Sequence, residues 1–222
     1  MAACTVPDKN CPRCPRLATF RKNNRAQYPD KFNAPVPAFG TDNPQLLVVG
    51  LAPGLKGANF SGRPFTGDYA GDLLYPTLKK FGFAKGDYER RPDDGFTLLD
   101  TRVTNAVRCV PPENKPTGDE INECRSFLQS ELSAMKRLKV VIALGGIAHN
   151  SFLRALGLTP SAFKFGHKKH YTLTPRQGLA YPVLLIDSYH CSRYNVNTRR
   201  LTAGMFEDVV ALARHHCAKA AA

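Results

Sequence analysis

Four short apolar runs divide the chain, each rich in valine, leucine or isoleucine and close to a turn signal. They cover residues 45–49, 102–107, 139–144 and 182–186. Continuous apolar runs of this length are typical of strands buried on both faces, as in parallel sheets. The pattern therefore predicts the strands of one sheet that is covered on both sides.

Helical patterns lie between these runs, over residues 71–81, 117–138, 146–156 and 202–216. The second begins with capping-box spacing from Thr117 to Glu120, and apolar residues then recur near one face. Strands that alternate with helices favour a mainly parallel sheet between helical layers. We therefore expect an α/β fold, a three-layer α/β/α sandwich.

The first forty residues are rich in proline, arginine and asparagine and show no sustained periodicity. They are interpreted as an irregular arm, held to the body by something other than a hydrophobic core. A chain of 222 residues is long enough for one substantial core. We expect a single domain over residues 1–222, with residues 1–40 as the arm.

Charge indicates a polyanionic partner. The chain has 31 lysines and arginines against 18 acidic residues, a net charge of +13. Such an excess favours nucleic acid, with an anionic membrane surface as the weaker alternative. No apolar run approaches the ~18 residues that span a bilayer, and the first ten residues have no apolar core typical of a secretory signal. A cytoplasmic monomer is expected, associated with the nucleoid in a bacterium.

The seven cysteines do not indicate a disulfide scaffold, because their number is odd and no export signal is present. Cys11 and Cys14 form a close pair in the arm, whereas Cys109 and Cys124 are more widely spaced. Four such thiolates could bind zinc or an iron–sulfur cluster, although Cys124 could equally be a small buried helix residue. Cys4 is a candidate substitute ligand. The other cysteines are interpreted as structural or incidental: Cys191 and Cys217.

Unusual segments follow or end each apolar run. Residues 50–54 follow the first, Asn105 and Cys109 end the second, residues 145–146 follow the third and residues 188–190 follow the fourth. In open α/β sheets, binding sites form beyond the carboxyl ends of the strands. These segments are therefore expected to converge in space.

Three blocks resemble the iron–sulfur uracil-DNA glycosylases. Residues 50–54 (GLAPG) and 62–68 (GRPFTGD) resemble their first motif, and residues 104–112 (TNAVRCVPP) their second. Residues 190–195 (HCSRYN), continuing to Thr198 and Leu201-Thr202, resemble the histidine motif. With the cysteine spacing, the resemblance extends from Cys11 to about Thr202.

Within that superfamily the chain most resembles family 5, the type B enzymes. Leu51 stands where family 4 has an acidic residue, whereas Pro53-Gly54 is shared with family 4. The resemblance implies a four-stranded parallel sheet, removal of uracil and other deaminated bases from DNA, and a [4Fe–4S] cluster. The implied cluster ligands are Cys11, Cys14, Cys109 and Cys124.

A glycosylase needs a pocket for an extruded base, a stacking surface, and groups that stabilise the departing base. Phe65 is the candidate stacking ring, and Asn105 the candidate reader of the N3–H and O4 edge of uracil. His190 is the candidate donor to the base O2, as a neutral imidazole. The alternatives are a core ring, a strand-end amide and a satisfied polar histidine.

In family 4 the residue after the first motif glycine places the hydrolytic water. Leu51 cannot accept a proton, so this role must move to another residue or be dispensed with, since the water needs orienting more than strong deprotonation. Asp68 is the candidate, with Asp72 as runner-up. The alternative role is an N-terminal helix cap. The backbone of Ala52 to Gly54 could supply amide donors.

The histidine motif also carries candidate DNA contacts. Tyr194 is a candidate wedge in the duplex. The candidate phosphate-binding residues are Ser192, Arg193, Asn195 and Arg200.

Two other functions are compatible with parts of this pattern. A nucleotide enzyme could use the loop at residues 50–57 for phosphate, but that loop lacks both the P-loop ending and the Gly-x-Gly-x-x-Gly pattern. A non-enzymatic iron–sulfur or zinc nucleic-acid-binding protein would share the charge and the cysteines, yet it would not need Asn105 and His190.

Overall fold

The four apolar runs form the centre of one sheet in the computed structural model, which describes residues 5–174, 179 and 181–219. The strands are β1 (Phe39–Gly40), β2 (Leu46–Gly50), β3 (Ala84–Lys85), β4 (Thr97–Leu98), β5 (Thr101–Asn105), β6 (Val140–Leu144), β7 (His170–Leu173) and β8 (Val183–Ser188). The helices are α1 (Pro15–Gln27), α2 (Ala58–Ser61), α3 (Tyr69–Lys80), α4 (Gly118–Ala134), α5 (Gly146–Ala155), α6 (Arg193–Asn197) and α7 (Ala203–Lys219).

The main sheet has the order β1-β5-β2-β6-β8-β7. The four central strands pair in parallel, whereas β1 and β7 pair antiparallel at the two edges. The expected number of four strands is therefore wrong, since the described sheet has six. Edge strands have one neighbour and an exposed side, so they do not need the continuous apolar run by which the central strands are recognised.

Helices cover both faces of this sheet, which confirms the α/β sandwich. Leu46 and Val48 of β2 pack into a core with α3 and α7, whereas Leu47 and Val49 pack into a second core with α4 and α5. Successive strand residues point to opposite faces, so a strand between two helical layers is apolar at every position. None of the described helices combines the length and apolar character that crossing a membrane requires.

The first forty residues are not an irregular arm throughout, because α1 is a 13-residue helix. Its buried residues are Leu17, Arg21 and Asn24, two of which are polar. Only one narrow stripe of the helix is therefore buried, and that stripe is mostly polar, which is why hydrophobic periodicity did not reveal it. Arg21 donates from Nη2 to the carbonyl of Cys11 at 2.8 Å, so a polar contact anchors the segment before the helix.

The capping box predicted at the start of α4 is present. The backbone N–H of Thr117 donates to the Glu120 side chain at 2.8 Å, and the backbone N–H of Glu120 donates to the Thr117 hydroxyl at 3.3 Å. The helix ends at Ala134, earlier than predicted, because the apolar residues that follow belong to the turn before β6.

A buried carboxylate connects α4 to the β5 region. Glu131 accepts hydrogen bonds from Arg102 at 3.2 Å, from the Thr104 hydroxyl at 3.1 Å and from Arg108. All four side chains are buried. Arg108 pairs with this carboxylate alone among the described residues, whereas Arg102 also pairs with exposed Asp42.

Replacement of Glu131 by glutamine should reduce the free energy of unfolding by about 3–5 kcal/mol, because it leaves the buried Arg108 cation without a counter-charge. Denaturant titration measures the change. Asp42→Asn is the matched control, since Asp42 pairs with the same Arg102 but is exposed, and its effect should be much smaller. Equal effects from the two variants would contradict the assignment.

Candidate active site

A cavity of about 500 Å³ lies at the carboxyl ends of β2, β5 and β8. Its walls combine the loop after β2, the start of α3, the end of β5 and the segment after β8. The structure thus brings together most of the segments that sequence reasoning expected to converge, through residues 50–54, Asn105 and His190. Residues 145–146 do not line this cavity, and Cys109 lines a different one. The lining residues are Leu51, Ala52, Gly54, Phe65, Asp68, Tyr69, Ala70, Asn105, Asn114, His190, Ser192 and Arg193.

Phe65 lies against the end of β2 with a left-handed backbone, φ 55°. A Cβ on Gly50 would lie 2.4 Å from both Phe65 Cζ and Asn105 Oδ1. Glycine at this position therefore permits the ring and the amide to approach the strand end together. The Phe65 ring centroid is 6.0 Å from that of His190, with 32° between the planes.

Asn105 ends β5, and its side chain is buried. Its Oδ1 has no hydrogen-bond partner among the described residues. A buried acceptor without a partner costs about 1–3 kcal/mol, so water or a bound molecule in the cavity is expected to donate to it. The amide therefore offers an acceptor to a molecule in the cavity.

Asp68 stands at the N-cap position of α3, but its side chain makes no capping bond to that helix. It accepts instead from the backbone N–H of Ala58 at 3.0 Å. Burial raises the pKa of Asp68 above its ordinary value, although the N–H groups of Ala58 and Gly54 act to lower it. A Cβ on Gly57 would lie 1.9 Å from Asp68 Oδ1, so glycine is required there.

The runner-up carboxylate, Asp72, is not on the cavity wall. It pairs with Arg90 through two hydrogen bonds of 2.8 and 2.7 Å. Asp68 is therefore the carboxylate that the fold presents to the cavity.

His190 follows β8 and is partly buried. Burial lowers the pKa of its imidazole to about 4, so the ring is neutral at pH 7 and carries one N–H. The side chain of Asn195 donates to the carbonyl of His190 at 2.9 Å, which holds the backbone next to the ring. A neutral donor is thus available without protonation.

The candidate DNA contacts separate into two groups. Ser192 and Arg193 line the cavity, and the Ser192 hydroxyl caps α6 by accepting from the N–H of Asn195. Tyr194 is 71% exposed and lies outside the cavity wall. Arg200 rests over the Tyr189 ring, with Cζ 4.7 Å from the centroid.

Three lining residues were missed by sequence reasoning: Tyr69, Ala70 and Asn114. Tyr69 directly follows Asp68, and its side chain contacts Arg193 across the cavity. Asn114 lies in a tight turn between Cys109 and α4, with φ 57°. The position of Tyr69 next to the candidate carboxylate Asp68 could have identified it from the sequence. Nothing in the sequence distinguished Asn114.

Four cysteines line a second, smaller cavity: Cys11, Cys14, Cys109 and Cys124. Arg21 Nη1 donates to Cys109 Sγ, and the N–H of Arg108 donates to Cys124 Sγ, both at 3.4 Å. Such donors are typical of the outer shell of a thiolate-bound centre. No three described side chains are arranged to hold a single metal ion. Four thiols around one cavity, two of which accept N–H donors, are a donor set that suits thiolate ligation of iron or zinc.

The other cysteines are separate from this group. Cys191 and Cys217 are buried in the core on the α3 and α7 face. Cys4, the candidate substitute ligand, lies outside the described residues.

The chain is similar to known proteins over most of its length. A family model described as the Uracil DNA glycosylase superfamily matches residues 37–214. The type-5 uracil-DNA glycosylase of Thermus thermophilus is 41% identical over 205 residues, which cover 90% of this chain and 90% of that protein. The type-5 enzyme of Pyrobaculum aerophilum is 38% identical, covering 90% of this chain and 86% of that protein.

A type-4 uracil-DNA glycosylase of Pyrobaculum aerophilum is also similar, with 32% identity over 150 residues. These cover 67% of this chain and 62% of that protein. The stronger matches to type-5 proteins and the weaker ones to type-4 proteins agree with the resemblance inferred from the motifs.

The imidazole of His190 should titrate with a pKa of about 4, because burial disfavours its charged form. The chemical shift of its Cε1–H, followed by NMR against pH, measures this directly, and His190→Gln identifies the resonance. A midpoint at the ordinary value of 6.5 would show that the ring is solvated.

Proposed function

Because the chain belongs to the uracil-DNA glycosylase superfamily, we propose that its cavity receives a uracil extruded from DNA and that the lining residues assist hydrolysis of the N-glycosidic bond. The products are free uracil and an abasic site, the first intermediate of base excision repair. The observation that carries this proposal is the shared cavity of Phe65, Asn105 and His190, in which Asn105 Oδ1 has no described protein partner.

The base is bound by stacking and by one amide. The Phe65 ring packs against the face of the base, and Asn105 pairs with its edge. Oδ1 accepts from N3–H while Nδ2 donates to O4, so one side chain satisfies both groups. The cavity, at about 500 Å³, is larger than a pyrimidine requires, and Leu51 makes part of its wall apolar. Other deaminated bases are therefore candidate substrates.

Cleavage of the glycosidic bond leaves negative charge on the base, and residues of the cavity wall can stabilise that charge. The C1′–N1 bond breaks with its electron pair passing to the base, and the sugar acquires oxocarbenium character. The neutral His190 ring donates its N–H to O2, where the negative charge develops. Water adds its oxygen to C1′ and passes a proton to Asp68. Asp68 then releases this proton to solvent, and the departing uracil anion takes up one proton from solvent.

The four cysteines around the smaller cavity, Cys11, Cys14, Cys109 and Cys124, are proposed to hold a [4Fe–4S] cluster. Bound there, the cluster supplies a covalent connection between the N-terminal segment and the segments around β5 and α4, with no redox step in base removal. The same cysteines contribute to a small core with Leu17, which packs α1 on the body.

The partner is DNA that contains uracil or another deaminated base. A net charge of +13 suits a surface that follows phosphates. We further propose that the 222 residues act as one domain and as a monomer, in the compartment that holds the DNA, which is the cytoplasm of a bacterial cell.

Replacement of His190 by alanine should lower uracil excision by about 10²-fold or more, because the donor to O2 is lost. The assay incubates a uracil-containing oligonucleotide and then cleaves abasic sites with alkali. His215→Ala, an exposed histidine on α7, should excise at the wild-type rate. Tight binding without strand scission by the wild-type protein would overturn the proposed reaction.

Excision should decline as the pH falls through the pKa of Asp68, which burial places above 3.8, because the protonated acid cannot accept a proton from water. Single-turnover rates measured against pH test this. Asp68→Asn should be slow at every pH and should lose the acid limb, while Asp72→Asn should keep it. An unchanged limb in Asp68→Asn would remove this carboxylate from the mechanism.

Cys109→Ala should lose iron, the brown absorbance near ~400 nm and solubility. The excision activity of the protein that stays soluble should be affected less than these properties. Iron content and the visible spectrum measure the cluster, and Cys217→Ala serves as the control that retains both. A colourless, soluble and fully active Cys109→Ala protein would contradict a structural cluster.

A further inference from the structure

Two residues from separate elements meet at the wall of the large cavity. Tyr69 is the first residue of α3, and Arg193 is the first residue of α6. The guanidinium carbon of Arg193 lies 5.2 Å from the centroid of the Tyr69 ring. Both side chains line the cavity that contains Phe65 and His190.

Arg193 is exposed, and its charge is not compensated within the part of the chain that the structure describes. No ion pair there includes it. A free arginine samples many rotamers, and binding an anion then costs the entropy of ordering it. Contact with an aromatic face restricts the guanidinium before the anion arrives.

Arg63 provides a comparison, because it is an arginine with a structural role in the same protein. It also contacts aromatic rings, including Phe39 at 5.1 Å and Tyr75 at 5.7 Å, but it is buried and forms two hydrogen bonds to Asp94. Arg193 likewise contacts an aromatic ring, but no described carboxylate pairs with it, and it lines a cavity. The missing partner is therefore an external anion.

We propose that Tyr69 is a positioning residue, whose ring holds the Arg193 guanidinium at the cavity mouth to bind a phosphate beside the extruded nucleotide. This rests on the proposed function, in which the cavity holds a base from DNA. The ring face makes the contact, so the hydroxyl is not required. Tyr69 acts through Arg193 and not on the departing base.

The test measures binding to an oligonucleotide that contains 2′-fluoro-deoxyuridine, which resists excision, over a range of salt concentrations. Arg193→Ala should reduce the slope of log Kd against log salt by about one, as expected for one phosphate contact. Tyr69→Leu keeps an apolar side chain but removes the aromatic face. It should weaken binding about two- to five-fold, the range of an exposed cation–π contact.

Three comparisons separate positioning from a general structural role. Tyr69→Phe should retain the wild-type affinity and salt slope, because it keeps the ring. The double variant Tyr69→Leu/Arg193→Ala should bind like Arg193→Ala alone, because the ring has no other function. Single-turnover excision at saturating enzyme should change little in Tyr69→Leu. Tyr181→Ala removes an exposed tyrosine just before β8, at the opposite end of that strand from His190, and should match the wild type.

Independent, multiplying effects of the two single variants would overturn the positioning role, as would a Tyr69→Phe protein that behaves like Tyr69→Leu. A slower excision step in Tyr69→Leu with unchanged affinity would assign the ring to the base itself and also overturn it. Each of these results leaves uracil excision by the wild-type protein intact. A wild-type protein that does not excise uracil overturns the proposed function and this inference together.

Discussion

Close approach of side chains to the backbone of one loop is the constraint on which the cavity depends. Gly50 leaves room for the Phe65 ring and the Asn105 amide, and Gly57 leaves room for the Asp68 carboxylate. In each case a Cβ would overlap the neighbouring group. The end of β2 and the loop after it therefore contribute mainly by leaving space. Side chains from β5 and from the residues before α3 occupy that space.

Burial shifts the pKa values of Asp68 and His190 in opposite directions. It raises the pKa of the Asp68 carboxyl and lowers that of the His190 imidazole, so that both neutral forms are favoured. A neutral imidazole still carries one N–H group that can donate a hydrogen bond. For aspartate the backbone N–H groups of Ala58 and Gly54 counteract burial and favour the ionised form. Positive charge, carried by Arg193, stays exposed at the cavity wall. A desolvated interior beside a charged surface suits a neutral base attached to an anionic chain.

The cysteine group and the cavity share one segment of the chain. Cys109 follows β5 and Cys124 lies in α4, and the turn between them places Asn114 on the cavity wall. Anchoring of this segment by its two thiols would therefore also fix one wall of the base site. Buried Glu131 reinforces the same region from the other side, because it connects α4 to the residues around β5. This continuity gives the proposed cluster a physical role at the cavity wall, although the cysteines lie outside that cavity.

Continuous apolar runs determined the four central strands, since a strand covered on both faces must be apolar throughout. Parallel pairing of those strands then implied that Asn105 and His190 meet at one edge, and the structure brings them together. The roles predicted for them remain predictions. Only tertiary structure revealed the edge strands and α1, because their burial depends on partners distant in sequence and on polar groups such as Arg21. Likewise, the contact of Tyr69 with Arg193 joins residues 124 positions apart (193 − 69). The pattern of apolar residues in a segment indicates which of its faces is buried. Contacts between distant segments depend on how the whole chain packs.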